Sequence, residues 1–107
     1  MLRGRLDEAV VQYRKALRLD PDHSASRIDL GLTLARQGHS AEAITQLREA
    51  SLRNRQNPEA HHVLAAILVN LGRIKEAAAE FEEVLRLRPD DAQARAFVAK
   101  ARTSRMF

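Results

Sequence analysis

The sequence predicts an all-α protein of about six short helices joined by tight turns. Three observations lead there. The first is an internal period: Gly4, Gly38 and Gly72 stand 34 residues apart. The same offset relates Glu8, Glu42 and Glu76; Ala9, Ala43 and Ala77; Tyr13, Leu47 and Phe81; and Ala16, Ala50 and Val84. It also relates Leu30, Leu64 and Val98, and Gly31, Ala65 and Ala99. A fixed period of about 20–50 residues marks stacked supersecondary units. The second observation is helical spacing of apolar residues, with no segment showing the period-two alternation of a strand. The third is composition. The 107 residues are 45% hydrophobic but only 4% aromatic, without Trp or Cys, so the core must be mostly Ala and Leu.

The elements follow in order. Leu6, Ala9, Val10, Tyr13, Ala16 and Leu17 form a helical stripe, and Asp20-Pro21-Asp22 ends it, because Pro disfavours a helical residue before it. The next helix spans Ile28 to Arg36, with Leu30, Gly31 and Leu34 inward, and stops at Gly38 as a left-handed cap. Ser40 is the expected N-cap of a helix running through Leu52. Further helices are expected at Glu59–Leu71, Ile74–Leu87 and Asp91–Arg105. Met1-Leu2-Arg3-Gly4 matches the last turn of a helix that is otherwise missing. The whole, 1–107, reads as one domain: 4–23 as the second helix of a truncated first unit, 24–57 and 58–91 as complete units, and 92–107 as a C-terminal capping helix.

This pattern resembles the tetratricopeptide repeat (TPR) family, whose 34-residue unit is an antiparallel helix pair, A then B. The second unit carries Leu30-Gly31, Leu34, Gly38, Ala43, Leu47 and Ala50. The third carries Leu64-Ala65, Leu68, Gly72, Ala77, Phe81, Val84 and Pro89, and the first keeps Gly4, Ala9, Tyr13, Ala16 and Pro21. Arg27, His61 and Arg95 stand where the family has Trp. The resemblance implies a right-handed α-solenoid. The open face of Leu6, Val10 and Leu17 implies a C-terminal fragment of a longer, bacterial protein, or self-association through the N-terminal end. The Arg-over-Lys excess, 15 to 3, suits a GC-rich source.

A search for chemistry ends quickly. Without Cys there is no thiolate nucleophile or thiolate metal site. His23, His39, His61 and His62 lack the spacing that sets two zinc ligands on one helix face; His61 and His62, being adjacent, diverge by about 100°. The glycines stand one per unit rather than in a phosphate-binding loop. Glu76, Glu80, Glu82 and Glu83 read as a solvated outer face, with Glu82 and Arg86 as an i,i+4 pair. No enzyme, cofactor or metal is expected. No apolar run approaches the roughly 18 residues of a membrane span, and no leader pattern opens the chain. Direct membrane insertion is therefore not expected. The compartment would be the cytoplasm, or the periplasm within a longer secreted or anchored protein.

What remains is surface. In the family, helices A line a concave groove that holds peptides. By position, that groove would take Ile28, Asp29, Leu32 and Arg36 from one helix; Glu59, His62, Val63, Ala66 and Asn70 from the next; and Gln93, Ala96, Phe97 and Lys100 from the last. Members that clamp a partner's C-terminal carboxylate use Lys, Asn and Arg, where this chain has Asp29, Glu59 and Val63. Two of these would repel a carboxylate. The expected function is a protein–protein interaction scaffold binding a partner peptide or protein. The alternative is a non-catalytic arm of a larger enzyme, glycosyltransferase-like, or of an envelope or pilus assembly protein. Nucleic-acid binding ranks third. The formal charge of +4 invites it, but residues 1–91 hold 14 basic and 14 acidic residues, so the excess lies in Arg95, Lys100, Arg102 and Arg105 of the last helix. Aromatic stacking partners there are limited to Phe97 and Phe107.

Overall fold

The computed structural model describes residues 2–104. Six helices occupy them: α1 (Leu2–Leu19), α2 (Ser24–Arg36), α3 (Ser40–Arg53), α4 (Glu59–Asn70), α5 (Ile74–Leu87) and α6 (Ala92–Ser104). No strand occurs among the described residues. Arg105 and Phe107, cited above for the end of the last helix and for stacking, lie outside them.

Three local predictions need correction. α1 runs straight through Gly4, which is therefore in its first turn and does not close an earlier helix. α2 starts at Ser24, four residues before Ile28. Its first turn is polar and leaves no apolar stripe. His23 starts it, accepting the Ser26 N–H at Nδ1 (3.2 Å), with the Ser26 hydroxyl 2.7 Å away. Ser40 is inside α3; His39 holds the N-cap position and makes no side-chain capping bond.

The helix ends are set by glycine as expected. Gly38 and Gly72 have φ of +88° and +75°. At the first, the His39 N–H bonds to Leu34 O (2.8 Å) and the Gly38 N–H to Ala35 O (3.0 Å). At the second, the Arg73 N–H bonds to Leu68 O and the Gly72 N–H to Val69 O, both 2.9 Å. These are paired Schellman closures, which satisfy carbonyls that a helix end would otherwise orphan.

The chain divides into two compact units, Met1–Arg55 and Gln56–Phe107. In the first, α2 packs on both α1 and α3. Ile28, Leu30, Leu34, Ala43, Leu47 and Ala50 are its buried apolar residues. Gly31 sits so close to α3 that a Cβ there would lie 2.7 Å from Leu47 Cγ. In the second unit α5 packs on both α4 and α6. Ala65, Phe81, Val84, Ala94 and Val98 form one cluster, with Val69, Leu85 and Phe97 half-buried against it. Phe97, Val98 and Ala101 turn inward from α6, Val98 and Ala101 fully. Burial at about 25 cal/mol per Å² of apolar surface drives both cores.

Candidate functional site

The thirteen groove candidates fall on α2, α4 and α6, apart from the polar turns, because the repeat places helix A at those points. In the first unit, Asp29 and Arg36 are exposed and Leu32 is half-buried. Ile28 is 2% exposed, so it belongs to the core and not to a surface that a partner reaches. Its neighbours Leu30 and Gly31 are buried as well, which makes this stretch of α2 apolar on more than one side. Arg36 also lines a cavity of about 500 Å³ with Arg3, Leu6, Asp7, Gln37 and His39. Gln37 Nε2 donates to Asp7 Oδ1 across it at 2.6 Å.

In the second unit, Glu59, Ala66 and Asn70 are exposed on α4, while His62 and Val63 are half-buried. On α6, Gln93, Ala96 and Lys100 are exposed and Phe97 is half-buried. Two of these candidates meet on a third residue. The His62 ring stands edge-on to Phe81, centroids 5.6 Å apart, and the Phe97 ring is tilted against the same Phe81 at 4.8 Å. Phe81, 2% exposed, is thus the floor that brings α4 and α6 candidates together. Its position within helix B, read only as a core position in the sequence, gave no hint of that.

His62 is held from the other side by Asp91, whose Oδ2 lies 3.3 Å from Nε2. Asp91 also accepts the Ala94 N–H (2.9 Å) at the start of α6. That backbone N–H, aided by His62, holds the Asp91 carboxyl below the usual carboxylate range. The adjacent His61 points elsewhere, as neighbouring positions on a helix must: its Nδ1 lies 2.7 Å from Glu80 Oε1, both side chains about 85% buried, at 15% and 14% exposure. Glu80 is therefore not part of a solvated outer face. The expected Glu82–Arg86 pair is not formed either. Arg86 binds Glu83 (2.9 Å), and Glu82 lies 3.4 Å from Arg102 of α6. The i,i+4 rule counts neighbours along one helix and misses an Arg arriving from the next.

Among the described residues, no group of three His, Asp or Glu is placed to hold a metal ion. None of the described helices is long and apolar enough to cross a membrane. Around Phe81 the second unit presents half-buried apolar side chains beside charges of both signs.

The Tetratricopeptide repeat pattern matches residues 1–67 and again 34–101. No protein of curated function matches the chain. Among solved structures, the first TPR of Spaghetti (RPAP3) bound to the HSP90 peptide SRMEEVD is 25% identical. That likeness covers 97% of this chain and 85% of that one, at a TM-score of 0.82. A thermophilic TPR protein of Thermus thermophilus is 28% identical over 92% of this chain and 50% of that one, TM-score 0.82. An O-GlcNAc transferase of Thermobaculum terrenum is 26% identical over 92% of this chain but 19% of its own length, TM-score 0.76. The two overlapping matches, the helix pairs and the closing glycines agree: the chain belongs to the tetratricopeptide repeat family.

Proposed function

We propose that this chain is a protein-interaction module that holds a partner's peptide segment on its helix-A surfaces. The observation that carries the reading is the arrangement around Phe81. His62 and Phe97, from two different helices A, are fixed against one buried ring. The same two helices also carry the exposed or half-buried apolar residues Val63, Ala66 and Ala96 and the exposed polar residues Glu59, Asn70, Gln93 and Lys100. Asp29, Leu32 and Arg36 offer a second, smaller surface on α2. Such a surface binds a peptide by apolar anchoring plus a few oriented hydrogen bonds.

The Spaghetti domain holds an acidic peptide. Asp29 in the first unit and Glu59 in the second each argue against that chemistry, since a carboxylate at either position would repel the ligand's own, and Val63 offers it no hydrogen bond. The partner segment we infer is apolar at its centre and mixed in charge at its ends. A peptide array followed by calorimetry tests this. Val63→Asp and Phe97→Ala should each weaken the best peptide about tenfold or more. The reading fails if no peptide is retained, or if both variants bind like the parent while keeping its helical circular dichroism.

The likeness to the O-GlcNAc transferase favours a second reading, in which the chain is a non-catalytic arm of a larger enzyme. Sequencing the gene on both sides decides it: an adjoining catalytic domain supports this reading, and stop signals on both sides remove it.

A further inference from the structure

One pair of repeat positions ties helix A to helix B in each unit, and the chemistry of the tie differs. In the second unit it is His61 on α4 and Glu80 on α5, 2.7 Å apart. In the first, 34 residues earlier, it is Arg27 on α2 and Gln46 on α3. Arg27 Nη1 donates to Gln46 Oε1 and Nη2 to Pro21 O, both at 2.9 Å. Both acceptors are neutral. A half-buried and permanently charged guanidinium is therefore held by neutral oxygens alone, where the other unit supplies a carboxylate.

Beside Arg27 opens a cleft of about 290 Å³, lined by Arg14, Leu17, Arg18, Arg27, Leu30 and Gln46. It lies between α1, α2 and α3, three consecutive helices of the first unit. Arg14, Leu17 and Arg18 share one face of α1, being three and four residues apart. Of the three guanidiniums, one meets a carboxylate: Arg14 Nη2 lies 3.1 Å from Glu42 Oε2. Arg18 is exposed, and neither it nor Arg27 has a carboxylate partner among the described residues. Two positive charges thus stand around one cleft without a counter-charge. Leu17 and Leu30 give it apolar wall, and walls of low polarity concentrate the field of charges of one sign.

We propose that this cleft binds a phosphate monoester. Charge selects the ligand. A monoester carries about −1.5 to −2 at neutral pH and so matches two unpaired guanidiniums, whereas a carboxylate balances only one. Geometry agrees: a guanidinium has five N–H donors, Arg27 spends two on its present acceptors, and a forked donor suits phosphate oxygens. The cleft is separate from the helix-A surface that takes the peptide. At about 100° per residue, Arg27 stands about 140–200° round α2 from Asp29, Leu32 and Arg36. Either site can therefore fail without the other.

Calorimetry of the full chain with O-phosphoserine, and with a short phosphoserine peptide of uncharged flanks, tests the proposal. Both should bind one to one. Equal affinities make a small phosphate ester the ligand, and a tighter peptide makes it a phosphorylated protein segment; either result supports the site. Gln46→Glu gives Arg27 the carboxylate that His61 has. It should weaken binding about tenfold or more and melt no lower than the parent. Arg18→Gln changes an exposed side chain and should also weaken binding, with unchanged helical circular dichroism. Arg5→Gln removes a charge from the opposite side of α1 and should leave the affinity as it was. The proposal is overturned if neither ester binds at millimolar concentration, or if the peptide with Glu in place of phosphoserine binds as tightly. It is equally overturned if a folded Gln46→Glu or Arg18→Gln binds like the parent, or if Arg5→Gln loses as much affinity as Arg18→Gln, which would mean that net charge alone attracts the ester.

Discussion

Gly31 has no room for one more carbon. An Ala there would gain about 1 kcal/mol of helix propensity. Its Cβ would also press to 2.7 Å from Leu47 Cγ, an atom too near its own backbone to swing aside. Overpacking of this kind costs about 1–3 kcal/mol. Gly31→Ala should therefore melt below the parent; a higher melting temperature would show that the two helices can separate without loss. Ala43 and Ala77, both fully buried, follow the same logic, and Ala43→Phe or Ala77→Phe should melt clearly lower. Asp91 makes a pH prediction. Its carboxyl is held below the ordinary range, first by the Ala94 N–H and then by His62. A group with a depressed folded pKa stabilises above its unfolded pKa, about 3.9, and loses that contribution as the pH falls through the folded value. Asp91→Asn keeps an acceptor for the Ala94 N–H but not the charge. It should melt below the parent at neutral pH, and the gap should close in strong acid. A gap constant with pH would exclude the charge as its source.

At the level of the element, one repeat position gives opposite results in different helices. Gly38 and Gly72 need positive φ to close α2 and α4. Gly4, at the same repeat position, lies within α1, and a Cβ there would meet nothing within 4 Å. Gly38→Ala or Gly72→Ala should destabilise by about 1–2 kcal/mol, the cost of a left-handed L-residue. Gly4→Ala should stabilise by about 0.5–1 kcal/mol. Urea unfolding of the three variants checks the contrast; three shifts of one sign would contradict it. The cause is context. Gly38 and Gly72 follow a helix they must end. Gly4 has no helix before it among the described residues, so the chain there propagates α1. Helix starts were legible where a turn or a stripe announced them, as at Ile74. They were not legible at Ser24, where a polar first turn is capped by His23.

At the scale of the whole chain, the +4 charge lies in residues 92–107, and among the described residues of α6 the structure reduces what it can do. Arg102 lies against Glu82, leaving Arg95 and Lys100 as its exposed neighbours. Few phosphate contacts mean binding that fades quickly with salt. An electrophoretic shift with DNA or RNA should therefore be absent at physiological salt, and a complex that survived there would revive the nucleic-acid reading.

The period, the helix count and the small-large alternation were all present in the sequence, because each depends on spacing along one chain: 34 residues bring the same face round again, and Gly or Ala opposite Leu or Phe sets how close two helices can come. The identity of the polar partners was not present. His61 finds Glu80 nineteen residues away, His62 finds Asp91 beyond the whole of α5, Glu82 turns to Arg102, and Ile28 falls below the surface that its repeat position assigned to it. Those outcomes depend on how far each helix is rotated about its own axis when its core face is buried. Packing sets that rotation, so only the tertiary structure decides which side chains lie at the surface and which charge each one meets.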